Sequence, residues 1–389
     1  MKLSRTKLRV AVVLGVVLVL PLNAALALPP GSTAMLPDGE KRPVVYLASV
    51  DQPERYNNLL EASLSIVAYD DDGIVGYEYR WNRGTYGSIR QTSADDPVVS
   101  FAELQPETRY VLELRAIDSH GWTSDWFLAA DMVTPKPPAI IVAGDSIASG
   151  YTRQWFSSAG ECVNSSASYG ETLRHEISNR LPPQWAPSYH NVAWAGAGVQ
   201  AMWNGGTDDC GGHHASQVES IASLADPSTW NIVVVTAGIN STNWSSVVAE
   251  LTRNTAFSFT ERGDRQRCED AVSVRWDLTD RAESIAAGTG RITDELAQHT
   301  NASLYWTSYY SIIGSKLAPL WTPIGAECGD QMADALQLLE STLKDGLTVG
   351  VTWVDIDVAQ VPTQGWGGWP HPNAAGQSSI GRTVAAAID

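Results

Sequence analysis

Ala139-Ile140-Ile141-Val142-Ala143 runs directly into Gly144-Asp145-Ser146-Ile147, five apolar residues followed by a glycine, an acid and a serine. A short apolar run that stops at a glycine reads as a buried strand delivering its next residues to the edge of a sheet. Further apolar runs follow at 191–195, 232–236, 304–306 and 351–356, and between them lie stretches of helical spacing such as Met332, Leu336, Leu339 and Leu343. Strand and helix in alternation predict a mostly parallel sheet covered on both faces. Such sheets bind ligands at the carboxyl ends of their strands, which is where Ser146 falls.

Upstream of this region the pattern changes. Residues 43–133 hold short alternating stretches, among them Leu64-Ser65-Ile66-Val67-Ala68-Tyr69, Tyr77-Glu78-Tyr79-Arg80-Trp81 and Tyr110-Val111-Leu112-Glu113-Leu114-Arg115-Ala116, separated by polar turns. Strands at this spacing predict a small antiparallel β-sandwich. The stretch Leu104-Gln105-Pro106-Glu107-Thr108-Arg109-Tyr110, with Gly121 and Ser124 after it, resembles the later half of a fibronectin type III or immunoglobulin-like domain, which implies that the Tyr110 hydroxyl ties a corner. Asp70-Asp71-Asp72-Gly73 lacks the ligand that a calcium loop needs at Ala68 and reads as a solvated hairpin turn. Thr134-Pro135-Lys136-Pro137-Pro138 reads as a stiff, extended linker, since proline fixes φ and removes a donor. The catalytic region is then expected over 139–389.

The chain opens with Lys2, Arg5, Lys7 and Arg9, an apolar run over 10–20 and a small-residue end at Ala25-Leu26-Ala27. This is the pattern of a cleaved secretory signal peptide over residues 1–27, and the run is well short of the roughly 20 residues a bilayer span needs. A secreted protein without a stable membrane anchor is expected. The leader carries four basic and no acidic residues, so its removal takes the formal net charge from −17 to −21. Such a surface disfavours nucleic acid and anionic lipid as partners.

Four blocks in order identify the chemistry. Gly144-Asp145-Ser146-Ile147 after its strand, Asn191-Val192-Ala193-Trp194-Ala195-Gly196, Thr236-Ala237-Gly238-Ile239-Asn240 and His371-Pro372-Asn373 together resemble the SGNH (GDSL-like) hydrolase family, and span nearly all of 139–389. The resemblance is nearest to secreted actinobacterial esterases and lipases that work with a Ser-His dyad. It implies a three-layer, flavodoxin-like α/β domain with Ser146 as nucleophile and His371 as general base. It also implies an oxyanion hole formed by the amides of Ser146 and Gly196 and the side chain of Asn240. The α/β-hydrolase nucleophile elbow needs a glycine where Ala148 stands.

The residue types suit ester hydrolysis on physical grounds. A serine hydroxyl must lose its proton as it attacks, which calls for a base titrating near neutrality, and histidine is that side chain. The charge that develops on the ester carbonyl oxygen must meet donors already in place. Two departures from the family stand out: Ser241 follows Asn240 where aspartate is usual, and Gly368 stands three residues before His371 where the family places its acid. The imidazole still needs an acceptor at Nδ1. A main-chain carbonyl at Gly368 or nearby is the first candidate, with Asp355 and Asp357 as the carboxylate alternatives.

Cys162, Cys210, Cys268 and Cys328 are an even number in an exported chain, which favours disulfides. Three pairings are possible. Cys162–Cys210 with Cys268–Cys328 is expected, because each pair staples a long irregular segment. His213 and His214 beside Cys210 raise zinc as a competitor, but the paired spacing of a zinc site is missing, so no metal or other cofactor is expected. The expected partner is an ester substrate, whether lipid, small ester or acetylated glycan, bound by a monomer. Two alternatives remain open: a carbohydrate O-acetyl esterase, and a binding protein in which the SGNH fold has lost catalysis.

Overall fold

The computed structural model describes residues 41–50, 60–82, 86–152, 161–227, 229–242, 261–300, 302–309, 326–356, 361–362 and 371–388; within 261–278 and 326–333 it describes the helix and not the side chains. The leader expected over 1–27 lies outside these residues.

The amino-terminal strands form two antiparallel sheets. One has the order β1-β2-β5, from Val44–Val50, Glu61–Tyr69 and Val98–Ser100. The other has the order β4-β3-β6-β7, from Arg90–Ser93, Ile74–Asn82, Arg109–Asp118 and Phe127–Val133. Every second residue of β6 is buried, so Tyr110, Leu112, Leu114 and Ala116 face a core shared with Leu64, Tyr79, Trp81, Val99 and Phe101. The Tyr110 hydroxyl accepts the amide of Gln105 at 3.2 Å, which ties the corner before β6. Asp70-Asp71-Asp72-Gly73 is the turn between β2 and β3, with the Asp70 side chain accepting the Asp72 amide.

The carboxyl-terminal region is an α/β fold built on five parallel strands in the order β14-β13-β12-β8-β9. These are Thr352–Val354, Ala302–Thr307, Thr229–Thr236, Lys136–Gly144 and Ser188–Asn191. Taken in chain order they give the doubly wound 2-1-3-4-5 arrangement of flavodoxin-like sheets, with the reversal between β8 and β12. All eight residues of β12, rich in β-branched valine and isoleucine, are buried, because both faces of the sheet are covered.

Two helix pairs supply most of the cover. Helix α1 (Tyr169–Ser178) packs on the last helix (Ala374–Ala386), and the long helix Glu261–His299 packs on Ala326–Gly346. Leu336, Leu339 and Leu343 are buried, as their spacing predicted. Shorter helices α2 (Val199–Asn204) and α3 (Gln217–Leu224) lie between β9 and β12; α4, α5 and α6 denote Glu261–His299, Ala326–Gly346 and Ala374–Ala386. Ser168, Ser216 and Asn373 cap α1, α3 and α6 with their side-chain oxygens, Ser216 with Glu219 three residues on. No helix among the described residues is long and apolar enough to cross a membrane.

Two sequence expectations shift. The stretch expected as a linker over 134–138 is extended, but β8 already begins at Lys136, leaving Thr134 and Pro135 between β7 and β8. Pro137 and Pro138 sit where the pairing with β12 slips register, since neither has an amide to contribute. Thr134 is buried and its hydroxyl donates to the Gln105 carbonyl, while Trp185 Nε1 and Gln184 Nε2 donate to the carbonyls of Leu104 and Ala102. Gln184 and Trp185 thus bond the α/β region to the loop that precedes β6 of the sandwich. The second shift is at the edge, where the strand expected over 191–195 is β9 at Ser188–Asn191, ending where the apolar run begins.

Candidate active site

Ser146 follows β8 in a tight turn at the point where the strand order reverses. Gly144 has φ +127°, and a β-carbon there would lie 1.9 Å from the carbonyl oxygen of Thr236 on β12. Only glycine allows that approach, so β8 and β12 reach the site side by side. The turn is held from below by two buried glutamines. Gln217 on α3 accepts the Gly144 amide at 2.6 Å and donates to the Gly144 carbonyl at 2.8 Å. Gln377 on α6 accepts the Tyr169 amide and donates to the Ile147 carbonyl at 3.0 Å.

His371 stands three residues before α6, on the same segment as Gln377, so the bond from Gln377 to Ile147 also sets the register of His371 against the serine. Its Nε2 lies 2.9 Å from Ser146 Oγ. In the tautomer with hydrogen on Nδ1, the serine hydroxyl donates to Nε2. The Tyr151 ring packs against the imidazole with centroids 4.2 Å apart. Tyr151 is itself fixed by its amide, which donates to the Ser146 carbonyl at 3.1 Å.

Gly196 and Asn240 complete the arrangement from β9 and β12. Gly196 has φ +86°, and an added β-carbon would meet Asp209 Oδ1 at 2.8 Å. Among the described residues, the amides of Ser146 and Gly196 have no acceptor. Asn240 lies in the turn after β12, its Nδ2 3.5 Å from the Ala197 carbonyl. Ser241 accepts the Val199 amide at 2.8 Å and so ties the asparagine turn to the start of α2.

Asp145 is fully buried beside the serine. Burial pushes its carboxyl up to about 7, against the opposing bonds from the Tyr309 hydroxyl and the Ile147 amide. Burial and the neighbouring Asp145 charge push the Tyr309 phenol well above its ordinary value, so it stays a neutral donor.

Cys162 and Cys210 form a disulfide that staples the segment after the Ser146 turn to the hairpin β10-β11, Gly206–Thr207 and His213–His214. Neither sulfur is a thiolate, so the cluster with Asp208 offers no thiolate ligand. His214 bonds Asp208 at 2.8 Å and stacks on Trp194, and His213 bonds Thr207. The Cys268 and Cys328 side chains lie outside the described residues, as do Gly368 and Asp357. Asp355 is exposed and receives the Trp353 indole at 2.6 Å.

The structure thus brings Ser146, His371, Gly196 and Asn240 together around the ends of β8, β9 and β12. Sequence reading missed Gln217, Gln377, Tyr151 and Tyr309. A glutamine in an amphipathic helix reads as solvent-facing, and a tyrosine past a strand reads as packing, so none carried a signal of its own.

No protein-family model matches the chain, and no curated protein matches it. Solved structures similar to it include Est24, a carbohydrate acetylesterase from Sinorhizobium meliloti, at 11% identity and a TM-score of 0.38, covering 64% of this chain and 98% of that one. A family two carbohydrate esterase from Clostridium thermocellum in complex with cellohexaose is similar at 15% identity and a TM-score of 0.35, covering 89% of each chain. The native M. smegmatis aryl esterase is similar at 12% identity and a TM-score of 0.36, covering 64% of this chain and 98% of that one.

Proposed function

We propose that this chain is a secreted serine hydrolase of the SGNH kind that cleaves carboxylic esters through an acyl-serine intermediate. The observation that carries the reading is the 2.9 Å approach of His371 Nε2 to Ser146 Oγ, at a sheet reversal ringed by unspent donors.

In the first half-reaction neutral His371 takes the Ser146 proton at Nε2 as Oγ attacks the ester carbonyl carbon. The carbonyl oxygen gains negative charge and turns toward the Ser146 and Gly196 amides and the Asn240 side chain. Each such donor is typically worth about 100- to 1000-fold in rate. The tetrahedral intermediate then collapses, and the imidazolium gives its proton to the departing alkoxide. Water then gives a proton to His371 Nε2 as its oxygen attacks the acyl carbon, and the second tetrahedral intermediate breaks its bond to Oγ, releasing the carboxylic acid as the imidazolium returns the proton to Ser146. With Gly368 standing three residues before His371, no acid is assigned to orient the imidazole, and the machinery is drawn as a dyad of Ser146 and His371. The reaction as drawn routes no step through a metal or organic cofactor.

The leader at 1–27 supports export, and the strongly acidic surface supports a small or neutral ester over nucleic acid. The assembled pair and its donors speak against a fold that has lost catalysis. Turnover of p-nitrophenyl acetate by the wild type and its loss in Ser146→Ala is the test; retention of most activity in the variant removes the assignment.

A further inference from the structure

Two turns must keep their spacing for the site to work. One carries Asp145-Ser146-Ile147 at the end of β8 and the other Gly238-Ile239-Asn240 at the end of β12. Tyr309, buried two residues past the end of β13, reaches both. Its hydroxyl donates to Asp145 Oδ2 at 2.5 Å and accepts the Ile239 amide at 3.1 Å. Asp145 Oδ1 accepts the Ile147 amide at 3.0 Å, so the carboxyl spans the serine from one side to the other. The tyrosine backbone is anchored in turn by Ser308. The Ser308 amide donates to the Val354 carbonyl and its hydroxyl accepts the Ile356 amide at 2.7 Å.

We propose that Tyr309 is a positioning residue for the oxyanion hole, its hydroxyl bridging the nucleophile turn to the asparagine turn and so fixing the distance between the Ser146 amide and the Asn240 side chain. This rests on the assignment of Ser146 and Asn240 given above. Tyr309 acts through Asp145 and Ile239. The two bonds use the hydroxyl as donor and acceptor at once, which phenylalanine at this position cannot reproduce. Loss of the bridge frees the asparagine turn to drift, and a displacement of about 1 Å at such a site costs up to about 100-fold in rate.

The test is a double-mutant cycle on p-nitrophenyl acetate with Tyr309→Phe and Asn240→Ala, each variant first checked for a native circular-dichroism spectrum. Tyr309→Phe is expected to lower kcat about 10- to 100-fold with KM within about twofold. In the Asn240→Ala background the same substitution is expected to cost less than about threefold, since the group it positions is gone. A merely structural tyrosine gives equal losses in both backgrounds, and that result overturns the proposal. An active wild type with Tyr309→Phe unchanged overturns it alone, whereas an inactive wild type overturns the functional reading and the proposal with it. If Tyr309→Phe does not fold, Asp145→Asn goes through the same two backgrounds, and equal losses there are equally decisive against it.

Discussion

The Tyr151 ring lies 4.2 Å from that of His371, centroid to centroid, with the planes inclined by 31°. The chain has glycine, not an acid, three residues before the histidine, so this packing bears on how the imidazole is held. Tyr151 also bonds the Ser146 carbonyl through its own amide, which places one residue against both partners of the pair. Replacing the ring with a small side chain removes that packing from the imidazole. Tyr151→Ala is therefore expected to lower kcat for p-nitrophenyl acetate by about 10-fold or more, with Tyr151→Phe close to wild type. Equal losses in the two variants would locate the effect in the hydroxyl and not in the packing.

Gly196 combines a left-handed backbone with the Asp209 carboxylate where a β-carbon would stand. Alanine there meets both obstacles, and the amide offered to the oxyanion moves with the backbone. Gly196→Ala is expected to reduce kcat by about 100- to 1000-fold at a stability cost of about 1–2 kcal/mol. Steady-state kinetics and a denaturant titration check the two numbers separately. A variant with wild-type kcat would remove Gly196 from the oxyanion hole.

Asp145 gives a pH dependence with a definite sign. Burial raises its carboxyl from an ordinary 3.8 to about 7, so the folded state holds this proton more tightly than the unfolded chain. Its contribution to stability is fully present below about pH 4, declines as the pH rises and is gone above about pH 7. A shift of this size corresponds to an upper bound of about 4 kcal/mol. Asp145→Asn carries no such titration. Between pH 4 and pH 8 the unfolding free energy of the variant is expected to gain on the wild type by a few kcal/mol, as read by urea titration at each pH. A difference that stays constant across that range contradicts the shift.

The parts of the site that the sequence disclosed are those whose chemistry is local. Ser146 was legible because a buried strand and a glycine turn lead into it, and His371 because His371-Pro372-Asn373 completes an ordered set of four blocks. The mostly parallel sheet covered on both faces followed from the alternation of apolar runs with helical spacing. What stayed hidden depends on partners distant in sequence. Gln217 lies 73 residues from the glycine it holds and Tyr309 164 from the carboxylate it bonds. The strand start at Lys136 was hidden by two prolines, which read locally as a linker yet are tolerated where the register slips. The polar Ser188-Tyr189-His190-Asn191 concealed β9 because an edge strand needs no apolar run to pair on one side.

Covalent labelling reads directly whether Ser146 is a nucleophile activated by His371. Folded wild-type protein is incubated with a fluorophosphonate and the adduct is located by peptide mass spectrometry. Stoichiometric phosphonylation is expected at Ser146, slowed by about 100-fold or more in His371→Ala, where the general base is missing. An unlabelled protein, an adduct on another residue, or labelling of Ser146 at the same rate without His371 would contradict it.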